Sequence, residues 1–490
     1  MRIRSLCSNE ARRGVMIALA ALSAVDVAGA QALDRSKRPA APPPPAYVFP
    51  TIHSTTLPNG LVVQVVENHA LPLVAVRAVI EGGSLLDPTG KDGLFTLDTL
   101  VIRDGTASMT GDQLAQAIGE LGTPFDALDP NRRFSPTRFT TVTGEFERSL
   151  ALMGDMLMHP SFPTDAVDRR KATLVSALQR AEGISSTPGL RIFNARIFGA
   201  THPFARVATA TSVGAITRDD IAAFHDQNVR PQNLTLIIVG DVSADAVIPA
   251  VAKVFGGWKR TGPRVVINVA AAPSPQPTAI YLYDRPGSPQ STVFVGQAGP
   301  PRGAPDAFAL ELMGALFGGG GGSRLSLSLR ERRALTYGVI HAPLWRGPSD
   351  PSSIMGSSNV DAAKTDSAIL VWMGELKDLA GPRPPADNEL TFARSITVGS
   401  LATRLETIDA MANRLSLAAR DRLPADFYMG YVKHITDVTT ADVVAATARH
   451  VDPSNTTIVV VGDRKVIEPG LRAANIAPIV IVDENGNRLP

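Results

Sequence analysis

Cysteine is almost absent from this chain of 490 residues: the one thiol, Cys7, lies before the first apolar run, whereas a lipoprotein cysteine would follow it. Without a second cysteine no internal disulfide forms, so stability has to come from a packed core. With 44% hydrophobic residues and a prior of roughly 150 residues per domain, the length suits two large domains or about three smaller ones. An excess of charge is also lacking. There are 48 basic and 46 acidic side chains; setting aside the first 30 residues, with four arginines, Glu10 and Asp26, leaves 44 of each. That balance gives no overall electrostatic footprint for nucleic acid or an anionic membrane surface. Past the N-terminus nothing approaches the roughly 18 consecutive apolar residues of a membrane-spanning helix. Clustered histidine is missing too. His53, His69, His159, His202, His225, His341, His434 and His450 are never closer than 16 residues. Neither H-x-x-E-H nor H-E-x-x-H, which set two imidazoles on one helical face around zinc, can occur.

What is present begins with an export signal. Arg2, Arg4, Arg12 and Arg13 precede the apolar run Val15 to Val25, and Ala28-Gly29-Ala30 then fits the small-residue rule for cleavage. The expectation is a signal peptide over residues 1–30 and a proline-rich linker over 31–49. The compartment implied is the periplasm, with full secretion as the variant.

Residues 50–262 read as a first domain. TTLPNGLVVQVVEN and LVAVRAVI have the turn and β-branched content of a hairpin leading into a sheet. Helical patterns follow in LDTLVIRDG, GDQLAQAIGELG, FERSLALMGDMLMHP, TDAVDRRKATLVSALQRAEG and DDIAAFHDQN, and then the strand NLTLIIVGDV. A Pro/Ala-rich linker spans 263–278. A second domain over 279–466 repeats the plan, with strands in TAIYLYDRPG and STVFVGQAG, helices in FALELMGALFG, SRLSLSLRERRA and ADVVAATARHV, and the strand NTTIVVVGDR. The match of NLTLIIVGDV to NTTIVVVGDR implies an internal repeat of about 200 residues. The fold class expected is α+β: two homologous halves, each a sheet covered by helices, joined by a linker. Residues 467–490 remain as a tail, either a terminal strand or disordered.

Four stretches then carry a resemblance: LPNGLVV, the EGGS…DP…GKDGL run, IFGATHPFARVATATSVGAITRDDIAAFHDQNVRPQNLTLIIVGDV, and GGGGGSRLSLSLRERRALTYGV. Together they make most of residues 50–465 similar to the insulinase or pitrilysin-like zinc peptidases, in the short two-domain form of mitochondrial processing peptidase subunits. Active members carry G-L-x-H-x-x-E-H…G-T, with a further glutamate downstream completing the zinc site. This chain reads GLFTLDTLVIRDGT over Gly93 to Thr106. The resemblance puts Thr96 and Leu100 at the histidine positions and Thr99 at the glutamate. Downstream, Val175-Ser176-Ala177-Leu178 falls where V-L-E-E-I is usual, so Ser176 and Ala177 stand for the acidic pair. Threonine and leucine do not replace imidazole on zinc. No metal is expected on this chain, and zinc is expected on a partner.

The second half keeps what resembles the family's substrate-holding element, Arg330 and Tyr337 at Arg-x6-Tyr spacing. A guanidinium offers forked donors and a phenol one hydroxyl to the carbonyls of an extended peptide. Before them, Gly318, Gly319, Gly320, Gly321 and Gly322 resemble the glycine-rich loop of non-catalytic processing-peptidase subunits. The resemblance implies a zinc-free, substrate-binding subunit of an exported heterodimeric peptidase, inactive alone and active with a partner bearing H-x-x-E-H. Peptides or unfolded proteins would be its substrates. The other role implied is a scaffold or peptide-binding protein of the same fold.

Overall fold

The computed structural model describes residues 49–122, 137–260 and 262–490. The expected signal peptide, and the proline-rich linker up to residue 48, lie outside them. β-Branched runs make the strands. In the first half, β1 (His53–Thr56), β2 (Val62–Glu67), β3 (Leu73–Ile80), β4 (Thr137–Val142) and β5 (Leu234–Gly240) form a sheet of order β1-β2-β5-β3-β4. In the second, β6 (Ala279–Asp284), β7 (Gln290–Gly299), β8 (Thr336–Leu344), β9 (Ser352–Asp361), β10 (Thr457–Gly462) and β11 (Ile479–Val482) form one of order β11-β6-β10-β7-β9-β8. β6, β10, β7 and β9 take the places of β2, β5, β3 and β4. Each set has one parallel pair, β2 with β5 and β6 with β10, and antiparallel neighbours beyond it. The α+β class and the two similar halves therefore follow the sequence pattern.

Helices of the first half are α1 (Leu94–Val101), α2 (Gly111–Glu120), α3 (Phe146–Met158), α4 (Thr164–Glu182), α5 (Ser186–Phe198), α6 (Ala210–Gly214), α7 (Arg218–Asn228) and α8 (Ala244–Phe255). Those of the second are α9 (Ala307–Gly318), α10 (Thr365–Ala380), α11 (Asp387–Thr403), α12 (Ile408–Arg420), α13 (Tyr431–Asp437), α14 (Thr440–His450) and α15 (Arg464–Ala474). Several start on capping boxes that the sequence spells out: Thr110 with Gln113, Thr217 with Asp220, and Thr439 with Asp442. Residues 263–278 carry no helix or strand, but they are tied down. Val265 N donates to Asn233 Oδ1 at 2.8 Å, and His202 Nε2 lies 2.9 Å from the Ala270 carbonyl. Residues 467–490 hold most of α15 and then β11, which adds parallel to β6.

Side chains alternate across a strand, and here the alternation sorts two cores. In the first sheet Val63, Val65, Val74, Val76, Leu236 and Ile238 face helices of their own half, while Val66, Ala75, Val79, Ile237 and Val239 face the second half. There α12 packs on β3 and β5. The second sheet does the converse. Ile280, Leu282, Val293, Val295, Ile458 and Val460 face their own helices, and Phe294, Val459, Val461 and Val482 face Ile192, Phe193, Ile197 and Phe198 on α5 of the first half. Each half thus lends one helix to the other's sheet. At Gly189 the approach of α5 is so close that a Cβ would lie 2.4 Å from the Phe294 ring.

One charged side chain sits inside this exchange. Arg77 on β3 is 2% exposed. It donates to the Val76 and Phe139 carbonyls at 2.9 and 3.1 Å, to Asn413 Oδ1 at 3.1 Å, and to the Asp409 carboxylate, which also accepts from Thr140 Oγ1 at 2.6 Å. Asp409 and Asn413 lie on α12, so the buried guanidinium fixes the borrowed helix in register. Removing the anion from a buried cation costs about 3 kcal/mol or more. Asp409→Ala should therefore lower unfolding stability by about 3 kcal/mol in urea titrations. A change under about 0.5 kcal/mol, typical of exposed pairs, would refute the clamp.

Candidate functional site

The site is built around α1. Gly93 at φ 104° turns the chain into the helix, and the Asp87 carboxylate accepts from Gly93 N and Phe95 N, both at 2.8 Å. The inner side of α1 buries Leu94, Phe95, Leu97 and Val101, together with Asp98. Asp98 Oδ1 lies 2.8 Å from His225 Nδ1 on α7, and His225 Nε2 lies 2.9 Å from the Leu157 carbonyl. Both ring nitrogens face oxygen atoms, so the pair holds one more proton than a neutral imidazole beside a carboxylate.

Thr96, Thr99 and Leu100, spaced i, i+3 and i+4, share one side of α1. Thr96 and Leu100 are half-buried; Thr99 is buried and turns its hydroxyl back to the Thr96 carbonyl at 2.9 Å. α4 packs against α1 and carries Ser176, exposed, and Ala177, half-buried. The two helices are arranged to place five side chains near one another, yet those side chains offer two threonine hydroxyls, one serine and two hydrocarbons. This donor set does not fit zinc, which takes imidazole, thiolate or carboxylate. Among the described residues no group of three or more His, Cys, Asp or Glu is placed to hold a metal ion.

A cavity of about 580 Å3 opens beside Thr96 and Leu178. Its first-half wall includes Leu190, Asn194 and Arg206, and its far wall is Phe294, Leu344, Met355 and Ser357 of the second sheet. Sequence reasoning passed over Asp87, Asn194 and Arg206. Only Asp87 gave a signal, an acidic residue upstream of a glycine-led helix.

Arg330 and Tyr337 lie elsewhere. The expected helix over SRLSLSLRERRA is wound as a π-helix at Ser326–Glu331, and Ala334 follows at φ 49°. Such windings are rare and recur at functional sites. The inner side of the turn is anchored: Ser328 Oγ donates to Glu375, and Arg324 grips Glu389 through Nε and a terminal nitrogen at 2.5 and 2.6 Å. The outer side presents Arg330, whose Cζ is 5.2 Å from the Tyr337 ring centre, and Tyr337 itself is 89% exposed. In the glycine run, Gly318 ends α9 where a Cβ would lie 2.3 Å from His341 N on β8, so packing requires glycine there. Gly320 and Gly321 meet open space, and Gly319 to Gly322 are exposed.

The structure thus brings the Arg330/Tyr337 pair together and separates it from α1. Neither residue, nor any of Gly318 to Gly322, lines the cavity at Thr96. Leu344 does, at the opposite end of β8, about 23 Å along the strand from Tyr337 at roughly 3.3 Å per residue.

A family model described as "Peptidase M16 inactive domain" matches residues 215–395. An uncharacterized zinc protease of Mycobacterium leprae is 26% identical over 302 residues, covering 59% of this chain and 65% of that protein. The crystal structure of a peptidase M16 inactive domain from Pseudomonas fluorescens superposes with a TM-score of 0.76 over 84% of this chain and 98% of its own, at 23% identity. The chain belongs to the insulinase/pitrilysin-like family. Within that family it is similar as well to a non-peptidase homologue of Helicobacter pylori, 21% identical over 408 residues, 81% of this chain and 91% of that one. The match spans just under two thirds of the Mycobacterium protein.

Asp87 gives the site a pH signature. Burial raises its carboxyl from 3.8 to about 7, against the two N–H bonds that favour the anion; the Asp92 charge adds to the rise and Arg206 opposes it. Between pH 4 and 7 the folded chain keeps a proton that the unfolded chain has released, so this contribution to stability is lost as pH rises through that window. Denaturation midpoints across it should fall with pH in the native chain and fall less steeply in Asp87→Asn. Equal slopes would show that Asp87 does not carry the dependence.

Proposed function

We propose that this chain is the non-catalytic, substrate-holding subunit of an exported insulinase-type peptidase, supplying Arg330, Tyr337 and the Gly318 to Gly322 loop to a homologous partner that carries H-x-x-E-H and its zinc. The observation that carries this reading is the exposure of Arg330 and Tyr337 at the end of β8 remote from α1. Placed there, the pair serves a substrate bound outside this chain's own cavity. An extended peptide presents carbonyl oxygens; the Arg330 guanidinium and the Tyr337 hydroxyl donate to them, positioning the backbone and stabilising negative charge that grows on an attacked carbonyl. The anchored π-turn keeps these donors in place without substrate, which lowers the cost of ordering them on binding. The signal-like N-terminus supports export of the chain to the periplasm.

A scaffold or peptide-binding role without a peptidase partner is the second reading. It is favoured by the likeness to the Helicobacter non-peptidase homologue, whose match covers 91% of that chain. Reconstitution separates the two. The chain is co-purified from its native host, and any zinc-bearing homologue is expressed and mixed with it. Neither subunit alone should cleave peptides, the mixture should, and Arg330→Ala should lower its kcat by about 100-fold, as loss of one oxyanion donor does. Cleavage by the purified single chain, or a mixture indifferent to Arg330→Ala, overturns the subunit reading.

A further inference from the structure

The cavity at Thr96 has no part in the function proposed above, and its lining is selective. Its charges are already matched. Arg206 pairs with Asp92 at 2.6 Å and donates to the carbonyls of Asp87 and Pro88 at 2.9 and 3.0 Å. Arg191 holds both carboxylate oxygens of Glu182 at 2.6 and 2.9 Å and the Glu484 carbonyl at 2.9 Å. An ionic ligand would meet no spare counter-charge. One polar atom in the wall is unsatisfied: Asn194, 4% exposed, has a side-chain oxygen with no hydrogen-bond partner. Buried acceptors are normally paired, so this one points to a donor that arrives with a ligand.

The mouth of the cavity is apolar and open. Ile184, Leu190 and Leu344 are 59%, 38% and 46% exposed and all line it. From Leu344 the apolar surface runs along alternate residues of β8, through Ala342 to Ile340, 63% exposed, toward Tyr337. Ile340 shares its face with Phe294, because both pair with Ser357. α5 covers that face over β7 and β10. β8 is also the last strand of its sheet, so one row of its N–H and C=O groups turns away from β9.

We propose that the cavity is an anchor pocket for one large, uncharged, apolar side chain of an extended peptide added to the edge of β8. The anchor lies about seven residues along the peptide from the residue held by Arg330 and Tyr337, and a peptide N–H meets Asn194 Oδ1. The volume, about 580 Å3, falls in the range of roughly 300–1,000 Å3 usual for ligand pockets. This inference rests on the peptide-holding reading and adds a spacing rule to it.

The test needs no partner. Fluorescein-labelled peptides of about twelve residues, built from Ser, Thr and Gln with a single Phe moved through every position, are titrated against the intact chain by fluorescence anisotropy. Binding should peak in one register at about tenfold over the Phe-free peptide, and Asp or Lys in place of that Phe should abolish the peak. Asn194→Leu should weaken the peak about fivefold. Leu190→Asp, at the exposed mouth, should remove it without lowering the thermal midpoint. A benzophenone about seven residues from the Phe should crosslink the Arg330 to Tyr337 segment. Equal binding at every Phe position, indifference to Leu190→Asp, or crosslinks confined to other segments would overturn the pocket. Register-dependent binding with no partner-dependent cleavage sinks the subunit reading alone; Arg330-dependent cleavage with no Phe preference sinks the anchor pocket alone.

Discussion

A sheet with two apolar faces must be covered on both, and each half of this chain folds helices over only one face of its own sheet. The second cover comes from the other half, α12 on the first sheet and α5 on the second. This exchange is the constraint from which the rest follows. It makes the two halves one cooperative body without a disulfide, and Arg77 sets its register by joining β3 to α12 with hydrogen bonds that a slipped helix would lose. It also sets the shape of the open surface. α5 is narrower than the sheet it covers, so the β9 and β8 part of that face is left bare, and the cavity forms between it and α1.

The same geometry explains how one chain can hold two half-sites that do not meet. α1 reaches the sheet at the Leu344 end of β8, and the π-turn delivers Arg330 and Tyr337 to the other. A strand is stiff and its rise per residue is fixed, so no side-chain rotation closes a gap of about 23 Å. The chemistry offered at the Tyr337 end is donor-rich and exposed, suited to a peptide backbone that arrives from outside. The chemistry at the Leu344 end is apolar and charge-neutral, suited to a side chain.

Much of this fold is legible in the residues, and the illegible parts share a cause. LTLIIVG and TIVVVG are continuous apolar runs with no polar alternation, the pattern of strands buried on both faces, and their likeness gives away the repeat. Capping boxes announce helix starts within a residue. What covers the second face of each sheet cannot be read, because α5 and α12 look like any amphipathic helix and their partners lie in the other half of the sequence; Arg77 and Asp409 are 332 positions apart. The π-winding at Ser326 escapes periodicity because six residues are too few to tell one helical pitch from another. Asn194 is invisible for a different reason: an asparagine amid apolar residues is ordinary, and only the packing reveals that its oxygen lacks a partner.

The retention of α1 after its ligand positions have changed has a physical basis of its own. Zinc-binding side chains would project from one side of the helix, and the fold rests on the other, where Leu94, Phe95, Leu97 and Val101 are buried and Asp98 joins His225. Substitutions on the outer side therefore leave the core intact. Thr99 satisfies its hydroxyl within its own helix, and neither Thr96 nor Leu100 carries a charge that would need a counter-ion. Removing the helix as well would expose both cores and undo the cap at Asp87. The helix is thus kept for packing whatever its outer face presents, and that face has become free to serve as the wall of an apolar cavity.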